Sequence, residues 1–150
     1  MRVVIQRVTF AKVEVNNQVV GEIKKGFMIL AGFENQDTLE DLTWMANKIT
    51  SLRIFDDEQG VMNKSIIDID GEILCISQFT LHALTKKGNR PSYFKAAKGE
   101  ISEPLYDEFC KKLASNLNKE IKKGIFGADM KVSLLNDGPV TICIDSKNKE

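Results

Sequence analysis

The run Gly26–Phe33 (GFMILAGF) is almost continuously apolar and is bounded by glycine and polar residues, the pattern of a β-strand buried on both faces. A chain that holds such a strand must cover it from two sides. Val3-Val4-Ile5 opens a β-rich stretch, and Ala11–Val15 and Gln18–Ile23 flank Asn16-Asn17, a pair that tolerates positive φ and suits a tight hairpin. Ile54-Phe55 ends in the turn-rich Asp56–Gly60. Ser65–Ile69 and Glu72–Ser77 bracket Asp70-Gly71 as a further strand pair, and Met130–Leu135 and Val140–Asp145 close the chain as two strands joined by Asn136-Asp137-Gly138-Pro139. Thr38 and Asp41 form a capping pair ahead of Leu39, Leu42, Met45, Ala46 and Ile49 at helical spacing. A second helix is expected to begin at Pro104, carry Leu105, Phe109, Leu113, Leu117 and Ile121, and stop at Gly124. Lys111, Lys112, Lys119, Lys122 and Lys123 fall on its other, solvated face. Many strands with hairpin-like connections and two main helices make a mixed α/β fold in which antiparallel pairing dominates.

At 150 residues and 16.8 kDa the chain has room for one domain and can bury roughly 70% of its extended surface. No repeat or linker divides it, so residues 1–150 read as a single domain with the last few residues as a loose tail. There is one histidine, His82, which excludes histidine pairs, HExxH helices and Cys2His2 sites, and any Ser-His-Asp or Cys-His relay would have to pass through it. Cys75, Cys110 and Cys143 lie far apart among apolar neighbours and read as small core residues. Twenty-one basic and 21 acidic residues cancel, so a polyanion would have to be gripped by a local patch. No apolar h-region opens the chain and no segment approaches the roughly 18 apolar residues of a membrane span, so a reduced cytoplasm is the expected compartment.

Two segments carry residue types that plain structure does not require. A buried-looking strand runs into Ser77-Gln78-Phe79-Thr80, where unpaired polar groups would cost about 1–3 kcal/mol each. They either pair with neighbouring backbone or serve a site. In Asn136-Asp137-Gly138-Pro139-Val140-Thr141 the turn chemistry is strong, yet proline at the mouth of the next strand removes a ladder donor. A cis Gly138-Pro139 bond would aim two successive carbonyls in similar directions, a grip for an ammonium group.

Together, Ser77-Gln78-Phe79-Thr80-Leu81 and Asn136-Asp137-Gly138-Pro139-Val140-Thr141 resemble the two signature motifs of the D-aminoacyl-tRNA deacylases. Met1–Val8, Leu52–Phe55, Lys87–Ser92 and Phe126–Met130 are also similar to that family, in order and from Met1 to about Asp145. The resemblance implies a homodimer of three-layer β/β/α sandwiches with active sites at the interface. It implies hydrolysis of the ester between a D-amino acid and the terminal adenosine of tRNA, and of glycine from mischarged tRNA, while L-aminoacyl-tRNA is spared. Ser77, Gln78, Phe79 and Thr80 are then the expected catalytic residues. Gly138 and Pro139 of one chain are expected to enter the other's pocket and exclude L side chains, with Arg7, Asn136 and Thr141 in support. A rejection of about 10⁴ corresponds to roughly 5.5 kcal/mol, within reach of a rigid backbone clash.

Thr80 is a nucleophile by type, and on an extended strand Thr80 and His82 would share a face. Family members commonly carry tyrosine where this chain has His82, which argues against a shared histidine mechanism. The favoured route is substrate-assisted: the ribose 2′-hydroxyl helps activate water or the carbonyl, and backbone amides near Phe79 and Thr80 stabilise the oxyanion. Lys86, Lys87 and Arg90 form a basic loop that suits phosphates of the acceptor end, or is simply solvated. Phe126 and Met130 line an adenine pocket or belong to the core. The expected partners are D-aminoacyl-tRNA and glycyl-tRNA, with no DNA, membrane, metal or cofactor. Two other readings use the same residues: a non-catalytic module for charged tRNA ends, and a hydrolase of small esters built on Thr80 and His82.

Overall fold

The computed structural model describes residues 1–150 as one α/β domain in three layers. The first strand, β1 (Arg2–Val15), is a single 14-residue element. Its Arg2–Val8 half pairs antiparallel with β3 (Gly26–Gly32), and its Ala11–Val15 half pairs with β2 (Gln18–Ile23). Asn16 and Asn17 both sit at positive φ, 51° and 62°, so the tight hairpin forms where the sequence places it. β3 is buried along its length, as its apolar run requires. It pairs in parallel with β6 (Glu72–Ser77), which pairs in parallel with β7 (Lys122–Lys123). Antiparallel pairs dominate, and these two parallel pairs were not expected. A small ribbon, β4 (Phe55–Asp56) with β5 (Met62–Lys64), stands apart from the main sheet.

Two cores flank β3. On one face Ile5, Phe27, Ile29 and Ile73 meet Leu42, Met45 and Ile49 of α1 (Leu39–Ser51) and Phe109 and Leu113 of α2 (Gly99–Leu117). On the other, Met28, Leu74 and Ile76 meet Val8, Ala11 and Val13 of β1 and Ile23 of β2. Long β1 thus begins in the central sheet and ends in the layer that covers it.

The structure corrects several expectations. Met130–Leu135 and Val140–Asp145 are not a hairpin but one strand, β8 (Lys131–Asp145), whose two halves both pair antiparallel with β1. Local turn chemistry at Asn136–Pro139 is real, but 14 residues of β1 supply a continuous template on both sides of it. Ser65–Ile69 is a turn, because the Asp68 carboxylate accepts from the Ser65 amide and hydroxyl at 2.7 and 2.8 Å and coils the segment. α2 starts at Gly99 rather than Pro104; the proline lies early in the helix on its exposed side, where its missing donor leaves the solvated carbonyl of Glu100 free. The helix stops at Leu117, with Asn118 in the left-handed region, and not at Gly124, so Ile121 and Lys119–Lys123 lie beyond it. Cys75 and Cys110 are buried, whereas Cys143 is exposed on β8, so its apolar sequence neighbours did not report its face.

The C-terminal residues, expected as a loose tail, are tied in as far as Lys149. The Ser146 hydroxyl accepts from the Met1 amine at 2.8 Å, the Lys147 ammonium donates to Asp41 at 2.6 Å, and Lys149 stands 4.4 Å over the Trp44 ring. Thr38 and Asp41 form the expected capping box on α1, and Asp41 therefore joins cap and tail. Burial alone would raise the Asp41 carboxyl; the Lys147 ammonium, the Thr38 amide and hydroxyl and Ser146 outweigh it and hold the carboxyl well below the usual range. Neither helix is long and apolar enough to cross a membrane.

A carboxyl depressed in the folded state stabilises fully above its unfolded value of about 3.9, and that contribution is lost as pH falls. Asp41→Asn is therefore expected to flatten the fall of urea midpoint below about pH 4. The buried Tyr106 hydroxyl donates to the Cys75 carbonyl at 2.8 Å, fastening α2 to β6. Tyr106→Phe is expected to cost about 1 kcal/mol in equilibrium unfolding.

Candidate active site

β6 ends at Ser77, and the amide of Gln78 makes a last bond, 2.8 Å, to the Ala31 carbonyl of β3. The chain then winds into a 3-10 turn, Phe79–His82. Gly32 permits this: a Cβ there would stand 2.6 Å from the Gln78 carbonyl and 3.2 Å from both the Leu81 Cβ and the His82 ring. The first bond of the turn runs from the Leu81 amide to the Gln78 carbonyl, so the amides of Phe79 and Thr80 have no acceptor within it.

The Gln78 Nε2 donates to Thr80 Oγ1 at 2.7 Å. His82 does not join them. The expectation that Thr80 and His82 share a face assumed an extended strand; at three residues per turn, positions two apart diverge. His82 is 1% exposed, its ring nitrogens have no hydrogen-bond partner, and its nearest charged group is Glu34, with Oε1 3.4 Å from Nδ1. A relay through the single histidine is therefore not built. Cysteine chemistry is also remote, since a hydrogen bond that the Cys75 thiol donates to Cys110, together with complete burial, pushes that thiol up.

Ser77, Gln78 and Phe79 line a cavity of about 380 Å³, together with Phe126 and Met130. Gly32, Ala97, Gly99 and Ser102 are also among its sixteen lining residues, and none of these four was singled out from the sequence. Phe126 packs against the core beneath α2 and Met130 against the opposite core, so each serves both as cavity wall and as packing. Thr80 is half-buried and lies outside the lining. Lys86, Lys87 and Arg90 sit on an exposed loop closed by the Leu84–Ser92 bridge, also outside the lining, and none makes an ion pair.

The second motif lies elsewhere on the chain. Between the pairs Gln6–Thr141 and Val8–Asn136, Arg7 alone stands opposite four residues of β8, Asp137–Val140, which bulge outward. The Gly138-Pro139 bond is cis, Gly138 has a φ of 124°, and both residues are exposed. Arg7, 6% exposed, holds the bulge from below: Nε donates to the Asp137 carbonyl at 3.2 Å and NH1 to the Ile54 carbonyl at 2.7 Å. The carboxylates of Asp137 and Asp56 stand at 3.3 and 3.4 Å from the same guanidinium. Asn136 closes the bulge, with Nδ2 donating to the carbonyls of Arg7 and Val140 at 3.1 and 3.0 Å, and the Thr141 hydroxyl donates to Asn136 Oδ1 at 3.4 Å. Within one chain neither Gly138 nor Pro139 lines the cavity.

A family model described as D-Tyr-tRNA(Tyr) deacylase matches residues 4–145. A protein of Bacteroides fragilis (strain YCH46) named D-aminoacyl-tRNA deacylase is 67% identical over 150 residues, covering 100% of both chains. The solved structure of the c-Myc DNA Unwinding Element Binding Protein is similar with a TM-score of 0.92 and 42% identity, over 97% of this chain and 98% of that one. The structure of a probable eukaryotic D-amino acid tRNA deacylase shares the fold, with a TM-score of 0.81 at 18% identity over 95% and 97% of the two chains. With a family model spanning nearly its whole length and a relative at two-thirds identity, the chain belongs to the D-Tyr-tRNA(Tyr) deacylase family.

Proposed function

We propose that the protein hydrolyses the ester between a D-amino acid and the terminal adenosine of tRNA, acting in the cytoplasm on free charged tRNA. The observation that carries this reading is the shared cavity: Ser77, Gln78, Phe79, Phe126 and Met130 line one space. Phe126 and Met130 seat the adenine, and the ester carbonyl lies against the amides of Phe79 and Thr80, which stabilise the developing oxyanion. Water attacks with help from the ribose 2′-hydroxyl. Gln78 holds Thr80 in place through its 2.7 Å bond, so the motif orients and polarises rather than forming a covalent intermediate.

Chiral choice falls to Gly138-Pro139 of a second copy. Both residues are exposed and braced by Arg7 and Asn136, which suits a rigid element that reaches into a partner's cavity. Its carbonyls take the α-ammonium, and its backbone occupies the space an L side chain would need. A glycyl ester has no side chain to reject and is a second substrate.

Incubation with D-Tyr-tRNA and L-Tyr-tRNA tests the reading. Rapid loss of the D ester alone is expected; equal loss of both would sink chiral editing, and protection without hydrolysis would make the protein a binding module. Thr80→Ala is expected to retain turnover within about tenfold, whereas loss of most activity would restore Thr80 as a chemical participant. A Cβ at Gly138 would stand 2.9 Å from Val140 Cγ2 and 3.1 Å from the Arg7 guanidinium at a φ that L residues rarely adopt. Gly138→Ala is expected to lower the D-over-L ratio at least about tenfold, read from the two deacylation rates, because a shift of about 1 Å is enough to misplace such a contact.

A further inference from the structure

Phe94 is 88% exposed, more than any other large apolar side chain of the protein. A single exposed phenylalanine is ordinary on a surface; its surroundings here are not. Its neighbour Tyr93 packs edge-on to Phe79, with ring centroids 5.0 Å apart, and Phe79 lines the cavity. On the other side, Ala96 donates to the Tyr93 carbonyl at 3.0 Å, and Ala97, which also lines the cavity, donates to the Phe33 carbonyl at 2.9 Å. Before Tyr93, Ser92 exchanges two backbone bonds with Leu84, at 2.7 and 3.0 Å. Tyr93 and Phe94 therefore sit on a short segment pinned at both ends, at the rim of the cavity, with the Phe94 ring in solvent.

The segment that carries Tyr93 and Phe94 is one-sided in charge, although Asp129 lines the cavity and Glu34 bridges to Ala96. No Asp or Glu occurs from Ile73 to Gly99, in a chain whose acidic and basic residues otherwise balance. The same stretch carries Lys86, Lys87, Arg90, Lys95 and Lys98, and none of these side chains makes an ion pair or a hydrogen bond within the protein. Unpaired cations interleaved with exposed aromatic rings make a surface for single-stranded nucleic acid: the cations track phosphates and the rings stack on bases.

We propose that Phe94 is the stacking platform for the unpaired nucleotide that precedes the terminal adenosine of the substrate. This rests on the function proposed above, in which the terminal adenosine fills the cavity. The chain leaving that cavity passes Phe79 and Tyr93, the next base stacks on Phe94, and its phosphates meet Lys95, Lys98 and the 86–90 loop. The cavity then reads the ester and the terminal nucleoside, and the rim distinguishes a tRNA end from a free aminoacyl nucleoside.

The test compares wild type, Phe94→Ala and Phe94→Trp on two substrates, D-Tyr-tRNA and 3′-D-tyrosyl-adenosine, which has no preceding nucleotide. Phe94→Ala is expected to raise KM for the tRNA about tenfold with kcat little changed, to leave the adenosine ester within about twofold, and to be rescued by Phe94→Trp. An unchanged KM for the tRNA, or equal losses on both substrates, overturns the proposal. A change of oligomeric state in Phe94→Ala by analytical ultracentrifugation also overturns it, since the ring would then be a contact between protein chains. Anisotropy of a labelled single-stranded RNA ending in CCA supplies a readout independent of turnover. If wild type hydrolysed neither ester yet bound this RNA about tenfold more tightly than Phe94→Ala, the hydrolytic reading would fall and the platform would stand; equal binding would remove the platform whatever the activity.

Discussion

β3 is apolar on both faces, and burying each face separately requires two independent layers of cover. α1 and α2 supply one. The other cannot come from helices, because the chain has only two, so it comes from strands: β1 runs past the end of β3, turns back through the Asn16-Asn17 hairpin, and lays its second half with β2 over Met28, Leu74 and Ile76. β8 then follows β1 along its whole length. The double burial of one seven-residue strand thus dictates why β1 and β8 are unusually long and why they belong to two layers at once.

That length has a consequence for the site. Strands of 14 and 15 residues that pair along most of their length leave little freedom except where the register shifts; one shift lies between Val8 and Phe10, and the wider one is where Arg7 faces Asp137–Val140. The buried guanidinium is costly unless its donors are met, and the carbonyls of Asp137 and Ile54 meet them. The bulge is therefore held from below by the Arg7 guanidinium and across its mouth by Asn136. The cavity motif has a similar origin: β6 ends because β3 ends, and Gly32 lets the chain turn sharply against it. Both candidate elements are backbone features produced by strand termination or register breaks. The chain's one histidine is buried beside Glu34 with no hydrogen-bond partner for its ring nitrogens.

Much of this was legible along the chain. The Asn16-Asn17 hairpin, the Thr38–Asp41 capping box, the bounds of β6 and the double burial of β3 all depend on residues within a few positions of one another, and local φ, capping and periodicity encode them. Ser65–Ile69 misled because alternation mimics a strand, while the Ser65–Asp68 bonds that coil it are just as local but weaker as a pattern. Pro104 and Gly124 misled as helix limits because both residues are tolerated inside or outside a helix once exposure is known. His82 misled because a two-residue offset means one face on a strand and different faces on a 3-10 turn.

By itself the sequence determined the presence of both helices, most of the strands and the tight Asn16-Asn17 turn, and it marked two motifs whose residues plain packing does not require. Only the tertiary structure decided that β8 is one strand, that Arg7 reaches Ile54 and Asp137, and that the cavity draws on residues from Ala31 to Val132. The physical reason is distance along the chain. Propensity and capping act between neighbours and leave their mark in short patterns, whereas a pairing partner, a cavity wall or the exposure of Phe94 depends on residues that only the folded chain brings together or keeps apart.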